Sequence, residues 1–200
     1  MEDASRSQLR RQLRARRRAL TRDQQRRAAI ALDAVIARSG LLTRHRHIAF
    51  YLANDGEIDP SLLLKRAHRQ GLCCYLPVIA PDNKLLFVRY RPGDPLRQNG
   101  FGIMEPLNLS QRRKPWALDM VLLPLVGFDR DGGRLGMGGG FYDRCFSGIK
   151  QIPAMKWPTL VGLAHRCQEL NRLTLASWDI PLALIATDEG LITVGGKRRA

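Results

Sequence analysis

The chain has 200 residues, of which 44% are hydrophobic, so it is long enough for one domain with a sizeable core. It has no run of 18 apolar residues and no apolar signal-peptide core, which argues against a membrane-spanning helix and a secretory signal. The formal net charge of +15 favours a polyanionic partner, but it is concentrated: residues 1–50 carry 13 arginines against four acidic residues, and a basic tail spans 195–200.

The N-terminal quarter predicts two helices. Leu9, Leu13 and Leu20 recur at helical spacing among arginines from residue 6 to 20, which indicates a basic amphipathic helix. Thr21 and Gln24 form a capping-box pattern for a second helix that runs to about residue 38. An arginine-rich start is also typical of transit peptides. The helical pattern instead favours a segment, residues 1–40, that packs on the single domain 1–200.

Residues 48–76 predict a right-handed βαβ unit. A strand at 48–53 precedes a loop and a helix, capped by Asp59-Pro60 with the proline in its first turn, that ends at Gly71; a strand at 72–76 follows. Ligands of such sheets bind beyond the carboxyl ends of the strands, where Glu57 would lie. A carboxylate there accepts paired hydrogen bonds from a heterocyclic amine and ring N–H, although a loop glutamate is more often only solvated.

The later segments predict strands at residues 85–90, 159–164, 182–187 and 191–194, and a short helix at 167–173. Arg112, Arg113 and Lys114 are expected to be solvated. His165 follows a strand but has no evident partner, which favours a structural role. The cysteines at 73, 74, 145 and 167 form no CxxC pair and lie in or beside apolar runs, so we expect free thiols in a reducing cytoplasm.

The most informative stretch is residues 119–144. Met120 to Val126 is an apolar run typical of a strand buried on both faces, and turn-forming residues 127–133 end it. A glycine-rich loop, residues 136–140, leads into a helix expected to reach about residue 150. Bare glycine backbone at a helix N-terminus suits a phosphate, although a tightly turning surface loop is the simpler alternative. The loop fits neither the Walker pattern nor the dinucleotide pattern.

Charged residues around this loop favour the phosphate interpretation. Arg134 and Arg144 flank it and would neutralise phosphate oxygens, while Asp143 would hold Mg²⁺. The string from Gly133 to Arg144, GRLGMGGGFYDR, resembles the signature of the 5-formyltetrahydrofolate cyclo-ligase family. Residues 9–20, 51–59, 101–106, 119–144 and 178–182 resemble the same family in the same order.

The resemblance implies a fold, a reaction and partners. The fold is a three-layer α/β structure with a mainly parallel sheet flanked by helices, like the NagB/RpiA/CoA-transferase group. The reaction converts 5-formyltetrahydrofolate, with or without a polyglutamate tail, to 5,10-methenyltetrahydrofolate. It uses ATP and Mg²⁺, releases ADP and phosphate and passes through an iminium phosphate. We expect a cytoplasmic monomer that binds neither membrane nor nucleic acid.

The resemblance also implies residue roles. Those on the nucleotide side are Arg6, Arg10, Arg134, Leu135, Gly136, Met137, Gly138, Gly139, Gly140, Phe141 and Tyr142. The folate contacts are Leu52, Glu57, Met137, Gly138, Gly139, Gly140 and Phe141. Arg134, Tyr142 and Arg144 would be catalytic, and Asp143 and Asp188 would bind the metal. The chain departs from the family at Arg6, where lysine is usual, and at Gly139, where some members have lysine.

Two alternatives stay open from the sequence. A nucleic-acid-binding protein would use the basic segment from Arg6 to Arg46, and its affinity would fall steeply with salt. The leucine stripe on that helix and the absence of an RNP-like motif argue against it. A relative that binds folate but has lost turnover is the second alternative.

Overall fold

The computed structural model describes residues 2–148, 157–174, 176 and 179–195. The helices are α1 (Glu2–Arg18), α2 (Arg22–Arg38), α3 (Leu41–Arg44), α4 (Ser61–Arg69) and α5 (Phe141–Phe146). The strands are β1 (His47–Ala49), β2 (Cys73–Ile79), β3 (Leu85–Arg89), β4 (Leu96–Gln98), β5 (Met104–Pro106), β6 (Arg112–Arg113), β7 (Met120–Pro124), β8 (Gly127–Phe128), β9 (Arg134–Leu135), β10 (Thr159–Leu163), β11 (Leu184–Ala186) and β12 (Leu191–Thr193).

A mixed eight-stranded sheet organises the domain, in the order β12-β11-β10-β7-β1-β2-β3-β6. The five strands from β11 to β2 pair in parallel, and the strands at both edges pair antiparallel. The predicted mainly parallel α/β sheet flanked by helices is therefore confirmed. Strands β1 and β2 are joined through α4, as the sequence predicts.

Alternating side chains of β7 build the core on both faces of the sheet. Met120 and Leu122 pack into one cluster with α2 and α4, whereas Val121 and Leu123 pack into another with β3 and Phe146 of α5. All four side chains are at most 1% exposed. Burial on both faces is the reason that this strand reads as a continuous apolar run.

Both N-terminal helices form as predicted. The Thr21 backbone N–H donates to Gln24 Oε1 at 2.8 Å, and the Gln24 N–H donates to Thr21 Oγ1 at 3.2 Å, which completes the capping box of α2. Leu13 of α1 is fully buried against Val126 and Leu135. α1 is therefore part of the fold, with its leucine stripe toward the core.

The prediction of a short helix at residues 167–173 is wrong. Only a 3-10 turn forms, at Arg166–Gln168. The Gln168 side-chain amide donates to the carbonyls of Leu125 and Val126, and the Leu170 N–H donates to Phe128 O. These bonds to the end of β7 and to β8 satisfy the segment in an extended form, so it does not continue as a helix.

The segments before and after the glycine loop also differ from the sequence-based expectation. Residues 127–135 form a β-hairpin, β8 with β9, whose turn is held by Asp129 Oδ1 accepting the N–H groups of Asp131 and Gly133. The helix after the loop, α5, has only six residues. Residues 147–148 form a 3-10 turn, and the last two residues of the expected helix, 149–150, lie outside the described residues, as does the basic tail beyond residue 195. Among the helices of the described ranges, none is long and apolar enough to cross a membrane.

Candidate active site

A cavity of about 490 Å³ opens at the carboxyl ends of β1, β2 and β7. Residues that follow β1, residues in the second half of β2 and the last residue of β7 line it. Parallel α/β sheets bind ligands at this edge. Helix α1 closes one side with Arg6 and Arg10, and the glycine loop closes another. The cavity brings together most of the predicted site residues: Arg6, Arg10, Leu52, Glu57, Arg134, Gly136, Met137, Gly138, Gly139, Gly140, Phe141, Tyr142 and Asp143.

Three predicted site residues do not line this cavity. Leu135 is fully buried and packs against Leu13 and Val126. The Arg144 guanidinium lies over the Phe141 ring at 5.1 Å and donates to Asn83 O at 3.3 Å. Asp188 accepts the backbone N–H of Arg166 at 2.7 Å. Their nucleotide-binding, catalytic and metal roles stay predictions, without a cavity contact to support them.

The glycine loop needs glycine for its backbone shape. Gly138 has φ +104° and Gly140 has φ +62°, which lie in the left-handed region that residues with a Cβ rarely adopt. A Cβ on Gly139 would lie 2.7 Å from Phe141 Cε2. The loop therefore presents bare backbone to the cavity. With α5 only six residues long, this backbone is the main feature offered to an anion, more than a helix terminus.

Two ion pairs lie on the wall next to the loop. Arg134, only 6% exposed, donates from Nε to Ile180 O at 2.9 Å and forms an ion pair with Asp143. Arg6 pairs with Asp179 at 3.2 Å. Asp143 Oδ1 also accepts the N–H of Ile180, the residue after Asp179. Two carboxylates and two guanidiniums thus lie together in the cavity.

Glu57 and Tyr142, which both line the cavity, have raised pKa values. Burial raises the pKa of Glu57 to about 7, although the positive charge of Arg17 opposes the shift. Burial also raises the pKa of Tyr142, and the charge of Glu57 adds to that effect. Tyr142 therefore keeps its proton at neutral pH, while Glu57 is close to its midpoint.

Several cavity residues were given no role by the sequence. Tyr51, Asn54, Phe101, Ile103, Glu105 and Asp179 line the cavity as well. The Phe101 ring meets the Phe141 ring edge-on, with centroids 5.8 Å apart. Glu105 accepts the Ile79 N–H at 2.9 Å and the Asn99 side-chain amide at 2.7 Å, which fixes the loop that carries Phe101. Membership in the family-like stretches 51–59, 101–106 and 178–182 was the only signal for these residues.

The structure supports the structural expectation for His165. It is 1% exposed, burial lowers its pKa, and it does not line the cavity. The arginines of α1 also serve the fold, because Arg6, Arg10, Arg14, Arg17 and Arg18 each contact another part of the chain. That use weakens the nucleic-acid alternative for this helix.

We expect the Glu57→Gln variant to remove a pH-dependent loss of stability. A carboxyl group with a pKa near 7 in the fold and 4.5 unfolded stabilises the protein fully below pH 4.5. The free energy of unfolding therefore falls by about 3 kcal/mol as the pH rises from 4.5 to above 7. Urea unfolding at pH 5 and pH 8 measures it: the free energy of unfolding of the glutamine variant should fall less than that of the wild type.

Glu189→Gln, at a side chain 64% exposed, is the matched control for this measurement. It should follow the wild-type pH dependence. Equal falls for wild type and Glu57→Gln would contradict the raised pKa of Glu57.

Comparison with known proteins agrees with this geometry. The model of the 5-formyltetrahydrofolate cyclo-ligase family matches residues 2–188. The chain is 44% identical to the 5-formyltetrahydrofolate cyclo-ligase of Haemophilus influenzae over 68% of this chain and 73% of the relative. It is 38% identical to the Escherichia coli K12 enzyme of that name over 88% of this chain and 96% of the relative.

A solved structure supports the same assignment. The NMR structure of Aquifex aeolicus 5,10-methenyltetrahydrofolate synthetase superposes with a TM-score of 0.82 at 28% identity, covering 98% of this chain and 95% of the other. The enzyme family predicted from the glycine-rich string is thereby confirmed. By the family match, by two relatives above 30% identity and by its fold, the chain belongs to the 5-formyltetrahydrofolate cyclo-ligase family.

Proposed function

We propose that this protein uses ATP and Mg²⁺ to convert 5-formyltetrahydrofolate to 5,10-methenyltetrahydrofolate. The observation that carries the proposal is a single cavity that holds a raised-pKa carboxyl, Glu57, together with a bare glycine loop and paired charges. These are groups suited to a pterin and to a triphosphate, respectively. The names of the relatives, 5-formyltetrahydrofolate cyclo-ligase, support the same substrate.

The folate would bind with its pterin at Glu57 and Leu52. As a carboxylate, Glu57 accepts two hydrogen bonds from the pterin amine and ring N–H, a bidentate arrangement that fixes the ring. Leu52 and Met137 would cover the apolar faces, since both line the cavity. A pKa near 7 means that folate binding draws Glu57 to its ionised form, so affinity should rise as pH passes upward through 7.

The triphosphate would lie against the glycine loop. Backbone N–H groups from Gly136 to Gly140 can approach phosphate oxygens because no Cβ intervenes. Arg10 donates from Nε to Gly136 O at 3.0 Å, so its remaining guanidinium N–H groups lie next to the same loop. Arg6 and Arg134 add positive charge at the wall.

The donor set fits Mg²⁺ bound jointly by protein and nucleotide. Mg²⁺ is usually held by one or two carboxylates plus substrate phosphates and water. Within the described residues, no three His, Cys, Asp or Glu side chains form a complete metal site. Asp143 and Asp179 both line the cavity, whereas Asp188 does not. We therefore assign Asp143 as the first ligand and Asp179, in place of Asp188, as the second; the ion would neutralise charge developing on the transferred phosphoryl group.

The reaction needs activation of a poor electrophile. The formyl oxygen attacks the γ-phosphorus, the bond from that phosphorus to the ADP oxygen breaks, and an iminium phosphate forms on the folate. N10 then attacks the formyl carbon, the carbon–oxygen bond to phosphate breaks, and N10 loses its proton. No protein nucleophile is required. The chain contributes by aligning the two substrates and by stabilising the transferred charge with Arg134 and the loop backbone.

A turnover assay tests this proposal. Purified protein with 5-formyltetrahydrofolate, ATP and Mg²⁺ should produce the methenyl chromophore, and omission of ATP or addition of EDTA should abolish it. A parallel measurement of ADP should give one ADP per methenyl product. Binding of folate with no absorbance change in the complete mixture would instead identify a relative without turnover.

The proposal takes the protein to act as a monomer in the cytoplasm. The cysteines Cys73, Cys74, Cys145 and Cys167 are all free, which suits a reducing compartment. Burial also raises the pKa of Cys74 and Cys145 to about 12, so these thiols stay protonated and unreactive.

A further inference from the structure

The loop that carries Glu57 is clamped onto α1 by arginines that follow one another along the helix. Asp55 accepts a hydrogen bond from Arg14 Nε at 2.7 Å and from Arg17 Nη2 at 2.8 Å, and it pairs with Arg18. Burial acts to raise the pKa of Asp55, but these hydrogen bonds outweigh it and lower the pKa to about 2. The clamp is therefore fully charged at every pH at which the protein is expected to work.

The loop adopts a backbone shape that needs such support. Asp55 has φ +54° and Gly56 has φ +74°, so two successive residues are left-handed. A non-glycine residue in this region costs about 1 kcal/mol or more. A Cβ on Gly56 would lie 3.3 Å from Arg17 O, which means that the loop rests directly on the α1 backbone. The turn places Glu57 in the cavity immediately after these residues.

Arg17 is the member of the clamp that connects three parts of the site. Its side chain is fully buried. Nε donates to Asp55 O at 2.9 Å, and Nη1 donates to Leu125 O, after β7, at 3.1 Å. Nη2 lies 3.7 Å from Glu57 Oε1 and 3.7 Å from Met137 Sδ in the glycine loop. A buried guanidinium is costly unless its donors are satisfied, and here the partners come from the 54–57 loop, the segment after β7 and the glycine loop.

Arg17 does not line the cavity, so it acts on the ligand through its neighbours. We propose that Arg17 is a positioning residue that holds the 54–57 loop and the Met137 rim together and presents Glu57 to the pterin as a carboxylate. This inference rests on the proposed function, because it assigns Glu57 to the folate. It adds a role for a residue behind the cavity wall that makes no ligand contact of its own.

The charges that face Glu57 set the expected direction of its titration. Arg14 and Arg17 approach from α1, Asp55 from the same loop, and the Tyr51 and Tyr142 hydroxyls from the regions after β1 and in α5. Removing the positive charge of Arg17 makes Glu57 harder to ionise. Removing the negative charge of Asp55 makes it easier to ionise. The two changes therefore move the pH midpoint of folate binding in opposite directions.

The experiment is isothermal titration of 5-formyltetrahydrofolate into the full-length protein from pH 5.5 to 8.5. Arg17→Met, close to isosteric and uncharged, should shift the pH midpoint of affinity upward by about 1 pH unit or more and weaken binding at pH 7 about fivefold or more. Arg17→Lys should recover part of both effects. Asp55→Asn should shift the midpoint downward. Arg16→Met, an exposed charge loss on the same helix, should match the wild type.

The outcomes are distinguishable. Weakening of Arg17→Met by the same factor at every pH, with an unchanged midpoint, would reduce Arg17 to a structural residue and overturn the inference. If circular dichroism shows that Arg17→Met does not fold, the Asp55→Asn variant becomes the test. A downward shift of its pH midpoint of folate affinity supports the inference, and an unchanged midpoint overturns it. Failure of the wild type to bind the folate would refute the proposed function itself.

Discussion

The Asp143→Asn variant is expected to lose catalysis while it keeps its fold. Asparagine preserves the shape of the side chain, and its amide oxygen can still accept the Ile180 N–H and a hydrogen bond from Arg134, so the fold should be kept at a lower stability because the ion pair with Arg134 is lost. It removes the charge that would hold Mg²⁺ on the triphosphate. Loss of one such electrostatic contact typically lowers kcat by about 10²–10³-fold. The measurement is kcat for methenyl formation, with thermal unfolding to verify the fold.

The neighbouring carboxylates provide the controls for this result. Asp179→Asn should also lower activity and should raise the Mg²⁺ concentration needed for half-maximal rate, because Asp179 shares the wall with Asp143. Asp188→Asn should stay within about twofold of wild type, a change below about 0.5 kcal/mol. A wild-type rate for Asp143→Asn would remove the metal role, and a severe loss for Asp188→Asn would restore the original prediction for that residue.

The two ion pairs in the cavity compensate the charges that would bind the magnesium nucleotide. In the structure, Arg134 neutralises Asp143 and Arg6 neutralises Asp179. Entry of a magnesium nucleotide would give the carboxylates a cation and the guanidiniums an anion, so each charge would exchange one partner for another. Such an exchange costs less than placing new charges in a buried site without partners.

The Gly138→Ala variant is the second change with a large expected effect. At φ +104° a Cβ is strained even though the nearest atom, Arg10 Cζ, would lie at an ordinary 3.6 Å. The loop should relax away from its present shape, and the added methyl group would stand where bare backbone faces the cavity. Displacement of about 1 Å at a phosphate-positioning loop can lower the rate by about 10²-fold. The ratio kcat/KM for ATP measures it.

Gly93→Ala separates backbone strain from phosphate binding. Gly93 has φ +103°, nearly the value at Gly138, and a Cβ there would have nothing within 4 Å. It does not line the cavity. Both variants should lose similar stability, about 1 kcal/mol, but only Gly138→Ala should lose activity. Equal kinetic effects for the two, or none for Gly138→Ala, would contradict a phosphate-binding role for the loop.

The sequence by itself determined the features that depend on neighbours along the chain. The capping box of α2 uses Thr21 and Gln24, and the buried strand β7 is an apolar run of consecutive residues. The glycine-rich string identified the family because its unusual order of residues is read directly. Elements of these kinds are set by interactions over a few residues, so local patterns predict them.

The tertiary structure decided which distant side chains meet. Arg6 and Asp179 are 173 residues apart in the chain yet form an ion pair, and Asp179 rather than Asp188 faces the cavity. Contacts between distant segments also bury Arg17 behind Glu57 and keep residues 167–173 from forming the predicted helix. Burial, partner charges and competing hydrogen bonds exist only once the sheet brings its strand ends together, and no local pattern in the sequence encodes them.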